Sequence, residues 1–390
     1  MKILHVLPAL NPVWGGPLTG ALAMSQGLSA IGHRAELLGL MVPGEPLVTD
    51  SDMTIHAISG ARGRYGYCPP LKRWLVQHAA AYDALIVHGL WRYYGWVTSR
   101  VALRAGVPYF VWAHGSLDPY SLRCSRAKFL LKLIYRAAFE SRVCAGARAV
   151  LFTTEEELEL ARPALGRRPT AVVATPAGVS IDGDAVAGAP MFLNAFPHLA
   201  ARDLVLFLGR LHPKKGLDLL IEAFASVAME FPRAHLVVSG PDQIGWRPEI
   251  EALARRHAVA DRVSFTGMLD GVMKSGAFAV SRVFALPSRQ ENFAFAAVEA
   301  LGAGLPVLIS RRVNIWREVE AAGAGMVVEP TAAGTAEGLR NLLAAPDRLA
   351  AMGRNARALA VRRYESRQVA RDFIECLQGC RGSAVAAGRA

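Results

Sequence analysis

The sequence has no long apolar run. Stretches such as "ALIV" (84–87) and "FAFAAVEALGAGLPVLI" (293–309) are too short for a bilayer or are broken by Glu, Gly and Pro, so no transmembrane helix is expected. The opening "MKILHVLPALNPVWGG" has the charge-then-apolar order of a secretion signal. Its β-branched, alternating character, followed by Gly-Gly and an amphipathic stretch, reads instead as the first strand of a domain. Cysteine is scarce: Cys68, Cys124, Cys144, Cys376 and Cys380 are odd in number and scattered, which argues against a disulfide framework and suits a reducing cytosol. Cys376 and Cys380 stand one helical turn apart, with no second Cys/His pair of ligand spacing to complete a metal site. No G-x-G-x-x-G follows a strand, which argues against a dinucleotide dehydrogenase. No Asp-x-Asp motif stands in a loop suited to a metal.

Acidic residues are the minority sign. Lys and Arg number 44 against 32 Asp and Glu, a formal charge of +12 and a pI near 9.8. That balance favours an anionic partner: nucleic acid, an anionic bilayer surface or phosphorylated substrates, and charge alone does not choose among them.

At 390 residues the chain exceeds the usual limit of about 250 to 300 for one core, so two domains are expected. Strand-like runs ("KILHVLPAL", "AELLGLMV", "ALIVHGL", "PYFVWAHG", "AVLFTT", "TAVVATPAGV") alternate with helical stretches through the first half. Periodicity fades in "DGDAVAGAPMFLNAFPHLAAR" (182–202), which gains Gly, Ala and Pro and reads as a linker. A second series then begins with "DLVLFLGR", "HLVVSGP", "RVSFTG", "VFALPS", "PVLIS" and "GMVVE". Alternation of this kind predicts parallel sheets with crossover helices, hence an α/β chain of two Rossmann-like domains facing a central cleft. The boundaries read as 1–185 for the first domain, 186–202 for the linker and 203–360 for the second. A long Arg-rich helix from about Pro346 to Cys380 returns over 361–380 to the first domain, and 381–390 reads as a disordered tail.

Two stretches of the second half carry chemistry. In "FLGRLHPKKGLDLLIEAF" (207–224) a strand delivers Arg210 to its carboxyl end, and Lys215-Gly216 introduces the next helix. A planar guanidinium and a compact ammonium beside a helix N-terminus suit two adjacent phosphates; the alternative is that both are solvated surface cations. In "RQENFAFAAVEALGAGLPV" (289–307), Glu291 and Glu299 stand eight positions apart among apolar residues, with a helix expected to begin near Phe293. Capping by Glu291 and Asn292 and pairing of Glu299 with a nearby Arg would explain them structurally. Alternatively, two carboxylates can hold the vicinal hydroxyls of a ribose and a hexose.

Taken in order, "GRLHPKKG" and "PSRQENFAFAAVEALGAGLPV" resemble the donor-site signature of glycosyltransferase family 4, retaining enzymes of the GT-B fold. The similarity covers nearly the whole chain. Gly15-Gly16, "HGLW" (88–91), "AHGSLDPYSLR" (113–123), "TTEEE" (153–157) and "NIWREVEAAGAGMVVEP" (314–330) resemble the subset that builds bacterial surface polysaccharides. The resemblance implies that Arg210 and Lys215 bind the donor diphosphate and that Glu299 holds the ribose. It assigns Glu291 to hydroxyls of the transferred sugar, with the amides of Phe293, Ala294 and Phe295 close to sugar or phosphate. Gly16 would bring backbone N–H to the diphosphate, and His114 would lie across the cleft with no proton-transfer role. His88 reads as structural, and Trp91 and Trp112 as packing residues. Three departures from the family pattern stand out: Ala294 where Gly is frequent, "VVATPAGVS" (172–180) in place of a "PNGVD"-like turn, and "VSRVF" (280–284) in place of an Ala-Asp pair.

The basic stretch "SLRCSRAKFLLKLIYRAAFESRVC" (121–144) reads either as a segment lying on an anionic membrane or as a core-packed helix with a solvated basic face. The expectation is a cytoplasmic glycosyltransferase, peripheral on the inner face of the membrane, that moves a hexose from a nucleotide-sugar donor with retention. Its acceptor would be a polyprenyl-diphosphate-linked saccharide of exopolysaccharide, capsule or O-antigen assembly, with no metal, no cofactor and no nucleic-acid partner. The alternatives are a non-catalytic GT-B protein that binds a membrane surface or polyanion, and a GT-B sugar-nucleotide epimerase.

Overall fold

A computed structural model describes residues 1–11, 16–41, 44–48, 53–119, 139–176 and 184–386. Most of the 121–144 stretch, Gly15, the second half of "VVATPAGVS" and residues 387–390 lie outside the described residues. The chain divides into two compact units, residues 1–176 with 366–390 and residues 177–365.

Unit 1 holds β1 (Lys2–Leu7), β2 (Arg34–Leu40), β3 (Thr54–Ile58), β4 (Ala84–His88), β5 (Tyr109–Trp112), β6 (Val150–Phe152) and β7 (Thr170–Val172). They form one sheet in the order β3-β2-β1-β4-β5-β6-β7, with every pairing parallel. Strands buried on both faces must be apolar throughout, and β4 is buried at every position. Side chains alternate between two cores. Leu4, Val6, Leu85, Val87, Tyr109 and Val111 pack on one face, while Ile3, Ile86, Phe110 and Trp112 pack on the other. The second face is covered by the Ser366–Ala386 helix through Val369, Phe373 and Leu377.

Unit 2 holds β8 (Asp203–Leu208), β9 (Ala234–Ser239), β10 (Val263–Gly267), β11 (Ser281–Leu286), β12 (Val307–Ser310) and β13 (Gly325–Val328). Their order is β10-β9-β8-β11-β12-β13, again all parallel. In each sheet the strand order reverses beside the first strand, between β1 and β4 and between β8 and β11. The crevice at the strands' carboxyl ends there is where open α/β sheets bind ligands.

Several expectations change. The strand β3, "TIHAI", escaped the reading because it is a short, half-buried edge strand paired only to β2. The linker assigned to 186–202 is largely a helix, Asp184–Ala195, that belongs to unit 2. Its small residues serve packing: a Cβ on Gly188 would stand 2.3 Å from the Val272 carbonyl oxygen, and one on Gly276 would stand 2.1 Å from that of Gly188. The Gly271–Val280 helix crosses it at that point. The single C-terminal helix is two, Pro346–Tyr364 and Ser366–Ala386, separated by Glu365 in an extended conformation. The second helix continues through residues 381–386, where a disordered tail was expected.

Candidate active site

Unit 2 brings seven of the nine candidate residues to the carboxyl ends of β8 and β11. After β8, Arg210 is exposed and makes a long contact from Nη1 to Gln243 Oε1 at 3.4 Å. Pro213–Lys215 then forms a 3-10 turn that ends at Gly216 in the left-handed region, with φ 71°. A Cβ there would stand 2.2 Å from the Pro287 carbonyl oxygen, so only glycine allows the two loops to meet. They are then sewn together. Arg289 N donates to Lys214 O at 2.8 Å, Arg289 Nη1 donates to Pro213 O, and the Arg289 guanidinium forks onto Asp218 at 2.7 and 2.6 Å.

That join places Lys215 Nζ on Glu291 Oε2 as an ion pair, with both side chains mostly buried. Glu291 is not part of the helix and caps nothing. Its backbone bridges to the 312–314 segment, donating to Arg312 O at 2.8 Å and accepting from Asn314 N at 3.0 Å. The segment "NIW", seen in the sequence only as part of a resemblance, therefore holds Glu291 in place. The helix runs from Phe295 to Gly302, two residues later than expected, because Ala294 adopts the left-handed conformation with φ 59° and ψ 65°. Such a conformation costs an alanine about 1 kcal/mol or more. The amides of Phe293, Ala294 and Phe295 donate to no protein acceptor among the described residues, and they precede the first bonds of the helix, Ala297 N and Val298 N to Ala294 O. Free amides at a helix N-terminus form an anion-binding site. The Phe293 ring is buried against Phe295 and Tyr364, which fixes this turn.

Glu299 lies within the helix and pairs with Lys274 Nζ at 2.9 Å, not with an arginine. Lys274 and the Arg289–Asp218 clamp were missed by the sequence reading. Lys274 carried a signal of the same kind as the glutamates, a lone charge in the apolar run "GVMKSGAFAV". His212 caps the 3-10 turn, accepting from Lys214 N at 3.1 Å. Burial, followed by the neighbouring Arg210, Lys214 and Lys215, keeps its imidazole below the usual value. Arg282, in the atypical "VSRVF", pairs with Asp203 at 2.5 Å and ties β11 to β8, a scaffold role.

Unit 1 holds the other two candidates. Gly16 is exposed as the first residue of the Gly16–Ala30 helix that follows β1. His114 follows β5 with φ 47°, and lines a cavity of about 400 Å³ together with Leu7, Asn11, Glu45, His88 and Tyr94. Its turn is pinned by "TTEEE". Thr154 caps the Glu155–Leu165 helix by accepting from Glu157 N, while the Glu157 carboxylate accepts from Gly115 N at 2.5 Å and Thr153 N at 2.8 Å. His88 is buried and contacts both His5 and His114 at 2.8 Å. Trp112 is buried and stacks on His114 at 5.5 Å. Burial pushes His5 and His114 down to about 3 and His88 well below the usual value, so all three are neutral. Nearby, Glu140 accepts from Trp91 N at 3.0 Å, and burial raises its carboxyl to about 7. Among the described residues no helix is long and apolar enough to cross a membrane, and no cluster of three or more His, Cys, Asp or Glu could hold a metal.

The chain is similar to known proteins over both units. A family model described as glycosyl transferases group 1 matches residues 194–359, and one described as glycosyl transferase 4-like domain matches residues 15–178. A D-inositol 3-phosphate glycosyltransferase of Gordonia bronchialis is 37% identical over 165 residues, 40% of this chain and 36% of that protein. A GDP-mannose-dependent alpha-(1-6)-phosphatidylinositol monomannoside mannosyltransferase of Mycolicibacterium smegmatis is 32% identical over 196 residues, 47% of this chain and 50% of its own. The aligned part thus spans about half or less of these curated relatives. The Anabaena protein HepE, solved with UDP and glucose, shares the fold with a TM-score of 0.75 at 20% identity, over 97% of this chain and 100% of that one. One family model on each Rossmann-like unit, joined to the donor-site motifs in their expected order, shows that the chain belongs to glycosyltransferase family 4, of the GT-B fold.

Proposed function

We propose that the protein transfers a hexose from a nucleoside-diphosphate sugar, with retention of configuration, to a lipid-linked saccharide such as a polyprenyl-diphosphate acceptor. The observation that carries this reading is the join of the β8 and β11 loops in unit 2. It sets Lys215, paired with Glu291, beside the loop that leads to the open amides of residues 293–295. Departure of a nucleoside diphosphate builds negative charge on its oxygens, and fixed cations and amides stabilise charge that develops in the transition state. Lys215 and Arg210 supply the cations, and no divalent ion is required in this reading. As Lys215 turns its charge to phosphate, Glu291 is released to accept from hydroxyls of the transferred sugar. Glu299, held by Lys274, accepts from the ribose hydroxyls. The family resemblance further assigns His114 to the transferred sugar and Gly16 to the diphosphate.

Two similar proteins support the substrate classes: one is named for GDP-mannose and a phosphatidylinositol mannoside, and the other was solved with UDP and glucose. A lipid-bearing acceptor in bacterial surface-polysaccharide assembly gives the basic surplus of +12 a use at the anionic inner face of the cytoplasmic membrane. The test is thermal melting with UDP, GDP and ADP, followed by transfer to a lipid-linked acceptor from a panel of nucleotide sugars. A ligand that binds the folded chain raises its melting temperature. The reading fails if no nucleotide does so and the chain shows only salt-sensitive binding to anionic vesicles or polyanions.

A further inference from the structure

Three histidines share one face of the unit 1 sheet. His5 lies on β1 beyond Ile3, His88 ends β4 beyond Ile86, and His114 continues the register of Phe110 and Trp112 past β5. The period of two in neighbouring parallel strands therefore aligns them in a row across the sheet. Their nitrogens face one another, not a common point: His5 Nδ1 meets His88 Nε2 at 2.8 Å, and His88 Nδ1 meets His114 Nε2 at 2.8 Å. The row is enclosed by aromatic rings, with Phe373 against His5 and Trp112 against both His88 and His114. No carboxylate hydrogen-bonds to any of the three among the described residues, so nothing offsets the cost of a buried imidazolium.

A neutral imidazole carries one N–H and one bare nitrogen. A row of three then has only two arrangements in which both contacts are hydrogen bonds. In one, His114 Nε2–H donates to His88 and His88 Nε2–H donates to His5. The proton of His5 then sits on Nε2, which is buried and has no partner. In the other, His5 Nδ1–H donates to His88 Nε2, His88 Nδ1–H donates to His114 Nε2, and the unpartnered His5 Nε2 is only a bare acceptor. Buried N–H groups without partners are rarer in folded proteins than unfilled acceptors.

We infer that His5 and His88 form a one-way hydrogen-bond relay that fixes His114 as the Nδ1–H tautomer, so that His114 offers its ligand a hydrogen-bond donor at the cavity. His88 is the positioning residue. Among the described residues Nδ1 of His114 has no hydrogen-bond partner, and His114 lines the cavity. The ligand atom it meets is an uncharged or anionic oxygen, a hydroxyl or a phosphoryl oxygen. Nδ1–H cannot take up a proton from an acceptor hydroxyl, which excludes His114 as a general base. Identification of that oxygen with the transferred sugar rests on the function proposed above; the tautomer does not.

The full chain labelled with 15N-histidine, read by long-range proton–nitrogen correlation at neutral pH without ligand, gives the direction of the relay. The expected spectrum has pyrrole-type Nδ1 and pyridine-type Nε2 at all three residues. A protonated Nε2 on His114, or a charged imidazole, overturns the inference. His88→Gln keeps a carbonyl for His5 and an amide donor for His114, whereas His88→Leu keeps neither. Transfer by the glutamine variant is expected to exceed that by the leucine variant by about tenfold in kcat/KM, with both folded by circular dichroism, the scale of one hydrogen bond. Equal activities overturn the role of His88. His114→Asn and His114→Asp both tolerate the positive φ. The amide can donate and the carboxylate cannot, so Asp matching Asn overturns the donor. A chain that transfers no sugar at all sinks the proposed function, while the unliganded spectrum still decides the relay.

Discussion

The carboxyl ends of the two sheets are furnished in opposite ways. Toward the carboxyl side of the unit 1 sheet stand three neutral imidazoles in an aromatic setting, His5 within β1, His88 at the end of β4 and His114 beyond β5, whereas unit 2 carries the ion pairs Lys215–Glu291 and Lys274–Glu299 with a forked Arg289–Asp218 clamp. The topology at the reversal of strand order is the same in both. The shared fold therefore sets where a ligand binds on each unit, and the side chains set what chemistry it meets there. Charged pairs suit a diphosphate and ribose that exchange with them, and neutral donors suit hydroxyls.

Acidification is the most forceful way to break this comparison. His5, His88 and His114 stay neutral when folded, so below the usual imidazole value of 6.5 the unfolded chain binds protons that the folded one refuses. Stability is then complete above that value and is lost as pH falls toward about 3, by about 1.4 kcal/mol per pH unit for each imidazole. Glu140 opposes one of the three. Its folded carboxyl is raised to about 7 and retains a proton that the unfolded chain releases above 4.5. The net is about two protons, or about 4 kcal/mol lost by pH 5. Unit 2 has one comparable imidazole, His235, lowered to about 4 chiefly by burial. Hydrogen exchange followed from pH 7.5 to 5 should show unit 1 opening first, and simultaneous loss of protection in both units would contradict the contrast.

Lys215→Ala tests the charged end. It removes the cation proposed to bind phosphate and leaves Glu291 without its Lys215 partner, so kcat/KM for transfer should fall by about 10² to 10³ with the fold retained. Wild-type transfer would remove this pair from the site. Glu299→Ala follows in size. Loss of the proposed ribose contact also frees Lys274, whose charge would then attract the donor, so nucleotide affinity should fall by only about tenfold. Isothermal titration with the nucleotide that stabilises the chain measures it, and unchanged affinity would place the ribose elsewhere.

These effects show which parts were legible beforehand. Both sheets were readable because buried parallel strands are uninterrupted apolar runs, as in "ALIVH" and "HLVVS". The half-buried "TIHAI" lacked that signature. Residues 186–202 misled because Gly188 and its small neighbours, which resemble a linker by composition, are what a close helix crossing requires. At the site, Glu291 and Glu299 announced themselves as charges among apolar residues, but their partners lie 76 and 25 positions away in sequence. Only the fold brings those together. The imidazole relay was similarly hidden, since His5, His88 and His114 belong to three separate strands or the turns that follow them.

The smallest effect concerns Ala294, the departure from the family pattern that stands at the start of the Phe295–Gly302 helix. Its left-handed φ of 59° places a strained alanine where the open amides of 293–295 gather. Glycine would remove roughly 1 to 2 kcal/mol of strain while adding about 0.5 to 1 kcal/mol of entropy to the unfolded chain. Ala294→Gly should therefore stabilise unit 2 by about 0.5 kcal/mol, a rise of a degree or two in melting temperature by calorimetry. Ala294 as a whole is only 5% exposed, so removing its methyl group opens little new surface. Nucleotide affinity in the glycine variant should thus stay within about twofold of the parent, and a larger gain would show that the strain is transmitted to the amides.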